Sequence, residues 1–267
     1  TPNGGAINDM TNGDTPTIET AKAHHGAGRL DQAAEAYYQI IQSDPGDTDA
    51  AHNLSVILLA RGDLGGAGRL ADQVLAINPG FAPALNVRGA ALLGLGRTEM
   101  AVASHQQAVK ADPEMAEAHS SLSNALRETG EPEASAQAAR EAIRLKPDFA
   151  EAHNNLGNAL IDSGDVADGT AAHGEAVRLD PDFATARYNH AMNHVFRDGD
   201  PMLATLADRA LDEGTGEEAR SWLLFAHAKA LDDTGKHGEA FAQFTAANRI
   251  MGRRWSFDLA GHAQMLD

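Results

Sequence analysis

The fold is decided by residues 150–183, which read AEAHNNLGNALIDSGDVADGTAAHGEAVRLDPDF. Apolar side chains recur at helical spacing on both sides of Gly164, so the stretch predicts two short amphipathic helices joined by a glycine turn. The same pattern recurs every 34 residues, and each copy closes with a proline: Pro45, Pro79, Pro113, Pro147 and Pro181. A fixed period with two helices per copy predicts an all-α array whose repeats pack on their neighbours.

The repeat boundaries follow when the closing proline is numbered position 32. Five regular repeats are then predicted at residues 14–47, 48–81, 82–115, 116–149 and 150–183. A degenerate repeat is predicted over 184–220, because Gly199 comes one place late, the second helix near 201–212 is short, and three residues are inserted around 214–216. Register returns in a repeat at 221–254, where Gly252 replaces the proline. Residues 1–13 are predicted to be a flexible leader, and 255–267 a capping or linker helix.

Three other positions of the repeat have a physical role. Positions 8 and 20 are small, so that the two helices of a repeat can approach closely. Position 15 is glycine, which relieves the strain of a positive φ in the turn. Position 8 is occupied by Ala21, Ser55, Gly89, Ser123 and Gly157, position 20 by Ala33, Ala67, Ala101, Ser135 and Gly169, and position 15 by Gly28, Gly62, Gly96, Gly130 and Gly164.

Together these positions closely resemble the tetratricopeptide repeat family, and the resemblance covers most of the chain. It implies a right-handed superhelical solenoid of antiparallel helix pairs, with first helices on the inner face and second helices on the outer face. It also implies a protein that binds protein segments in a concave groove and has no chemistry of its own. The leading functional hypothesis is therefore a non-catalytic protein–protein interaction scaffold.

Composition and charge exclude several function classes. The chain has 38 acidic and 21 basic residues and a net charge of −17, which repels phosphate backbones, so nucleic acid is not an expected partner. The absence of cysteine excludes disulfides and thiolate chemistry. No apolar run approaches the roughly 20 residues of a membrane span. We predict a cytoplasmic protein without a membrane partner.

Twelve histidines suggest a metal or acid–base site, but their repeat positions favour packing. Position 4, 11 or 24, where the family often places aromatic rings, is held by His24, His105, His119, His153, His173 and His194. His190 and His194 have the i, i+4 spacing of two metal ligands on one helical face. They fall on the packing stripe, however, which favours a structural role. We predict no metal site.

No other motif indicates catalysis. The glycine-rich run GDLGGAG at residues 62–68 follows a predicted helix instead of a strand and lacks the lysine of a phosphate-binding loop. No Ser/His/Asp or Cys/His arrangement stands out. The sequence therefore predicts no catalytic residue and no cofactor.

Polar side chains mark the candidate groove. In this family positions 2, 5, 6, 9, 12 and 13 of the first helices are expected to face it, and an asparagine amide there can pair with a peptide backbone of any sequence. The pattern resembles the asparagine ladder in the repeat region of O-linked N-acetylglucosamine transferases. The alternative, that these asparagines only stabilise the repeats, stays open. The predicted groove residues are His52, Asn53, Asn86, Asn124, Arg127, Asn154, Asn155, Asn158, Tyr188 and Asn189.

The charge of the groove predicts the kind of partner. Lys22 and Arg127 are the only basic candidates in the first five repeats, three repeats apart, so no clamp for a terminal carboxylate is predicted. The acidic neighbours are Glu117, Glu128, Glu151 and Asp162. A neutral to basic protein or peptide segment is therefore the expected partner. Self-association through the end faces of the array is a further possibility.

The C-terminal run WLLFAHAKALDDTGKHGEAFAQFTAANRIMGRRWSFD, residues 222–258, carries a second resemblance. It is similar to the junction in bacterial proteins where tetratricopeptide repeats precede a sulfotransferase domain. The resemblance implies an alternative function, in which this chain is the N-terminal module of a larger enzyme and guides a substrate or partner. The sulfate-donor loop of such enzymes is absent from these 267 residues, and the end at Asp267 inside a predicted helix favours a longer parent.

Overall fold

The computed structural model describes residues 16–212 and 214–254, and within those ranges the chain forms fourteen α-helices and no β-strand. The predicted all-α repeat fold is confirmed. The predicted leader and the predicted helix at 255–267 lie outside the described residues. The chain divides into two compact parts at Thr129 and Gly130, and each is described separately.

The N-terminal part contains seven helices, which form three antiparallel pairs and one further first helix, the last of the seven. They are α1 (Ile18–Gly26), α2 (Leu30–Ser43), α3 (Thr48–Ala60), α4 (Leu64–Ile77), α5 (Ala82–Gly94), α6 (Thr98–Ala111) and α7 (Ala116–Glu128). Each helix packs against the next, and the first helix α5 also contacts the first helices α3 and α7, so the three form one face of this part.

The C-terminal part contains another seven helices. They are α8 (Pro132–Leu145), α9 (Ala150–Asp162), α10 (Val166–Leu179), α11 (Ala184–Asn193), α12 (Pro201–Leu211), α13 (Glu217–Asp233) and α14 (His237–Arg254). Here α11 contacts both α9 and α13, and we call the surface of these three first helices the α9–α11–α13 face.

The turn inside a repeat is closed by a glycine with positive φ. In the second repeat Gly62 has φ +79°, its N–H donates to Leu59, and the N–H of Asp63 donates to Leu58 at 2.9 Å. This pair of bonds satisfies the last carbonyls of α3, and only glycine adopts that φ without strain.

The junction between repeats is fixed by side chains at position 4. The Nε2 atoms of His119 and His153 lie 3.0 Å from the carbonyl oxygens of Pro113 and Pro147, and Arg187 Nε donates to the Pro181 carbonyl at 2.7 Å. Three repeats thus share one contact, in which a long polar side chain at position 4 hydrogen-bonds the carbonyl of the proline six residues earlier. It satisfies a carbonyl that has no helical partner.

The core is rich in alanine, because neighbouring helices approach closely. In the N-terminal part the buried side chains include Ala67, Ala101 and Ala118 beside Tyr37 and Ile57. In the C-terminal part larger side chains from α11 to α14 join the core, which contains Phe196, Leu206, Leu223, Leu224 and Ala247.

Position 8 and position 24 compensate for each other in volume. Buried His105 fills the space over Gly89: a Cβ built on Gly89 would lie 2.5 Å from His105 Cε1. His173 fills the space over Gly157 in the same way: a Cβ built on Gly157 would lie 2.2 Å from His173 Cδ2. The second repeat has Ser55 with Ala71 at these positions, so in these three repeats a larger residue at position 8 goes with a smaller one at position 24. The first repeat departs from this, because it combines Ala21 with the larger Tyr37.

The degenerate repeat differs from its sequence-based description. Helix α11 ends at Asn193, so His194 lies in extended backbone instead of in the helix. The segment is held outside the helix because His194 Nε2 contacts Asp200 at 2.7 Å, the Phe196 N–H donates to Asp233 at 3.1 Å, and Lys229 Nζ donates to the His194 carbonyl.

The extra residues of this repeat lie mainly in a helix. Helix α13 begins at Glu217, four residues before the predicted repeat start at 221, and is 17 residues long against 13 for α9. Before α13, the Asp212 carboxylate accepts from the Gly214 N–H at 2.9 Å. The insertion therefore lengthens α13.

Candidate partner-binding face

Three asparagine side chains of the predicted groove meet on the α9–α11–α13 face. Asn189 Nδ2 on α11 lies 2.9 Å from Asn154 Oδ1 and 3.1 Å from Asn158 Oδ1, both on α9. The two helices come from successive repeats, so this amide cluster joins one repeat to the next.

A buried histidine completes the amide cluster. His173 Nε2 lies 3.0 Å from Asn158 Oδ1, and since a carbonyl oxygen only accepts, the imidazole donates there from its neutral form. Burial, with a smaller contribution from nearby His190, lowers the pKa of His173 to about 4, so the ring stays uncharged at neutral pH. Three amides and one imidazole are thus engaged with each other.

Burial limits what these asparagines offer to a partner. Asn154 is 5% exposed and Asn155 is 8% exposed, whereas Asn158 and Asn189 are partly exposed. The buried pair has little surface for a ligand and serves as the base of the face. Contact between Asn158 or Asn189 and a partner stays a prediction.

An aromatic cluster adjoins the amide cluster. Tyr188, next to Asn189 on α11, has its ring centroid 4.9 Å from that of Trp222 and 6.3 Å from that of Phe225, both on α13. All three side chains are partly exposed. Their rings are tilted by 48–65° to one another and offer apolar surface with polar edges, which is the kind of surface enriched at protein interfaces.

The aromatic cluster opens into an acidic cleft of about 570 Å³. Trp222 belongs to both, and Phe183 lines the cleft from the start of α11. The acidic side chains that line it are Asp180, Asp182, Glu217 and Glu218. Asp182 also pairs with Arg209, and the described residues that line the cleft include no lysine or arginine.

The predicted groove residues of the N-terminal part are less connected. His52 packs edge-on against Phe81 at 5.3 Å, and burial lowers its pKa. Asn53 donates to the Asp49 carbonyl one helical turn back, at 2.8 Å. Asn86 Oδ1 lies 2.8 Å from Nδ1 of buried His105.

The other two residues predicted in this part lie on α7. Asn124 is partly exposed, and Arg127 Nη2 donates to Glu128 at 2.6 Å. Among the described residues, those of the N-terminal set are not brought into one cluster like that of Asn154, Asn158 and Asn189.

Sequence reasoning missed the aromatic and acidic members of the face. Trp222 and Phe225 occupy positions 2 and 5 of the repeat at 221–254, which are groove positions, so carrying the pattern one repeat further would have found them. Asp180 and Glu217 lie at helix ends, and only the fold brings them to Trp222.

Among the described residues no group of three or more His, Asp or Glu side chains could hold a metal ion. His190 and His194, the pair with ligand-like spacing, have ring centroids 5.7 Å apart with the rings tilted by 59°, and His194 contacts Asp200. Also within the described part, no helix is long and apolar enough to span a membrane.

The fold and this face define a class of protein: stacked antiparallel helix pairs that present a side-chain surface on their first helices. Tetratricopeptide repeat models match residues 24–91, and then residues 87–150 and 122–182. The chain therefore belongs to the tetratricopeptide repeat family. Repeats of this family bind peptides or protein partners and form protein-interaction scaffolds.

Solved structures share the fold at low sequence identity. A thermophilic tetratricopeptide repeat protein of Thermus thermophilus, TTC0263, has a TM-score of 0.57 at 19% identity, covering 66% of this chain and 96% of its own. YrrB, described as a TPR protein with an unusual peptide-binding site, has a TM-score of 0.51 at 21% identity, covering 79% and 98%. MamA from Desulfovibrio magneticus RS-1 has a TM-score of 0.52 at 21% identity, covering 62% and 93%. No curated protein matches the sequence.

Proposed function

We propose that the protein is a non-catalytic scaffold whose α9–α11–α13 face binds an extended protein segment that carries a basic side chain. The observation that carries the proposal is the acidic cleft, which is lined by Trp222 and several carboxylates. A lysine or arginine entering the cleft gains attraction to the carboxylates and a cation–π contact with the indole, worth about 0.5–2 kcal/mol.

The amide and aromatic clusters supply the rest of the recognition. The aromatic rings offer apolar contact to the residues that flank the basic side chain, and Asn158 and Asn189 offer an amide edge to the peptide backbone. The buried side chains Asn154 and His173 hold those amides in place. The partner so described is a neutral to basic segment, in keeping with the net charge of −17.

The experiment is selection of randomised twelve-residue peptides displayed on phage, followed by measurement of Kd for the enriched peptides by fluorescence anisotropy. We expect enrichment of lysine or arginine beside an apolar residue. Trp222→Ala should weaken binding at least tenfold, and Asp180→Asn several-fold. Asp180→Asn removes the charge and keeps the local turn, because the amide oxygen can still accept from the Asp182 N–H, as the carboxylate does at 2.9 Å.

The matched control is Phe241→Ala, which removes another aromatic side chain of the C-terminal part that is 74% exposed. Far-UV circular dichroism verifies that each variant is folded. The proposal fails if no basic peptide is enriched, or if the enriched basic peptides bind the Trp222 and Asp180 variants as tightly as the unchanged protein.

A second candidate function rests on the resemblance of residues 222–258 to the repeat–sulfotransferase junction. In this proposal the chain is the repeat module of a larger enzyme and presents a partner or substrate to it. The mass of the natural polypeptide, detected in source cells with an antibody to this chain, tests the idea. A mass near 28.1 kDa contradicts it, and a mass larger by a domain leads to an assay of sulfate transfer by the full protein.

A further inference from the structure

A second cleft lies in the N-terminal part, between the second helices α4 and α6, with α5 as its floor. Its volume is about 540 Å³. Three arginines line it, Arg69, Arg88 and Arg97, against the single carboxylate of Asp72. In a chain with net charge −17 this is a local reversal of charge, on helices other than those that form the α9–α11–α13 face.

Arg88 replaces an apolar packing residue. It occupies position 7 of the third repeat, where the second, fourth and fifth repeats have Leu54, Leu122 and Leu156. A charged side chain at a position that otherwise packs is costly to bury unless it is hydrogen-bonded. Arg88 is nevertheless 25% exposed, so its guanidinium lies at the floor of the cleft.

The guanidinium is held in a defined orientation. Its Nε donates to Ser104 Oγ at 3.1 Å, and Nη2 donates to Gln107 Oε1 at 3.0 Å. Nη1 lies 3.8 Å from Asp72 Oδ1, too far for a hydrogen bond, and that carboxylate is 65% exposed. The remaining N–H groups are therefore oriented in advance for an anionic acceptor, and planar pairing with a carboxylate suits them.

Glycines make room for a ligand beside Arg88. Gly65 and Gly68 on α4 line the cleft, whereas the third repeat has Glu99 and Val102 at the corresponding positions. A Cβ on Gly68 would meet only Ala91, at 3.8 Å. The open space is at Gly68, whereas a Cβ on Gly66 of the same run would lie 2.3 Å from Asp63 Oδ2.

The rest of the lining is apolar and accessible. Leu95 is 50% exposed and Met100 is 55% exposed, and Leu92 lies beside them. At the rim, Arg69 and Arg97 have no ion-pair partner among the described residues. The cleft combines an oriented cation with an apolar wall and a positive rim.

We infer that the α4–α5–α6 cleft is a second binding site, which takes an acidic peptide segment of a partner protein. A carboxylate of that segment pairs with Arg88, an adjacent large apolar side chain packs on Leu92, Leu95 and Met100, and Arg69 and Arg97 attract flanking acidic residues. The site differs in helices and in charge preference from the α9–α11–α13 face, so the two would accept different segments.

The test uses the full chain and a randomised twelve-residue phage library, with enriched peptides measured by fluorescence anisotropy. Binding to the cleft is identified by its loss in the variant Arg88→Leu. This substitution introduces the leucine that the second, fourth and fifth repeats have at position 7, and it is expected to keep the fold. We expect acidic peptides with a neighbouring leucine, isoleucine or phenylalanine, a Kd at least tenfold higher in Arg88→Leu, and a Kd that rises with salt. The double variant Arg69→Ala/Arg97→Ala should raise Kd several-fold.

The control is Lys110→Leu on α6, which removes the same unit of charge at an exposed position outside the cleft. The inference is overturned if no acidic peptide is enriched, or if acidic peptides bind Arg88→Leu and Lys110→Leu equally well. It is also overturned if sedimentation shows a dimer of the full chain that Arg88→Leu dissolves, since the occupant would then be a second copy. Trp222→Ala should leave the Kd of acidic peptides unchanged. Failure of this inference can therefore be distinguished from failure of the proposal for the α9–α11–α13 face.

Discussion

The compensation between Gly89 and His105 predicts a measurable coupling between position 8 and position 24. A methyl group on Gly89 would lie 2.5 Å from His105 Cε1 and 2.7 Å from both ring nitrogens, whereas ordinary contacts are about 3.5–4.0 Å. The ring must move by roughly 1 Å, which strains the core by about 1–3 kcal/mol and breaks the 2.8 Å bond to Asn86. Better helix propensity offsets up to about 1 kcal/mol.

We therefore expect Gly89→Ala to lower the free energy of unfolding by about 1–3 kcal/mol. His105→Ala alone should cost about 2 kcal/mol through the cavity it leaves. The double variant, which approaches the Ser55 and Ala71 arrangement of the second repeat, should cost less than the sum by at least about 1 kcal/mol.

The assay is urea unfolding followed by far-UV circular dichroism, with all four proteins at one pH. The control is Gly238→Ala on α14, where a Cβ meets no atom within 4 Å, and it should be neutral or slightly stabilising. The reasoning is refuted if Gly89→Ala behaves like this control, or if the two single effects add to within about 0.5 kcal/mol.

Three other predictions follow from buried or strained groups. His105 and His173 have pKa values lowered from 6.5 to about 4 by burial, so below pH 6.5 only the unfolded chain takes up their protons, and stability should fall as pH drops from 6.5 towards 4. The free energy of unfolding lost at pH 4 is about 3 kcal/mol per histidine. In denaturant titrations, the stability of His105→Ala should therefore depend less steeply on pH than that of the unchanged protein. An equally steep dependence would contradict the lowered pKa of His105. Gly164→Ala should cost about 1–2 kcal/mol because φ is +93°, measured by thermal unfolding, and no loss would contradict the strain argument. Asn189→Ala should cost about 1–3 kcal/mol by leaving the acceptor of buried Asn154 unpaired, and a cost no larger than that of Asn124→Ala would refute this.

The helical repeat fold could be predicted because its rules are local. The period, the glycine turn and the terminal proline act through backbone conformation within a few residues, and the positive φ of Gly62, Gly96 and Gly164 follows directly from them. The end of α11 at Asn193 could not be predicted in this way. It depends on Asp200, Lys229 and Asp233, which come from later elements.

The sites were less predictable than the fold because side-chain partners are not local. Position 6 identified Asn155 and Asn189, but the burial of Asn155 and the bond from Asn189 to Asn154 depend on how successive repeats stack. Arg88 was not predicted from the sequence as a site residue. Its role depends on its difference from Leu54 and Leu122 at the same repeat position and on the cleft between α4 and α6. Comparing every position across repeats would have singled it out.

The most direct test of the central claim is hydrogen–deuterium exchange of the full chain with and without the tightest basic peptide from the selection. If the α9–α11–α13 face binds it, amide exchange should slow in α11 (Ala184–Asn193) and in the first half of α13 (Glu217–Asp233), which carry Tyr188, Asn189 and Trp222. Protection confined to second helices such as α10 or α14, or to the N-terminal part, would contradict the account.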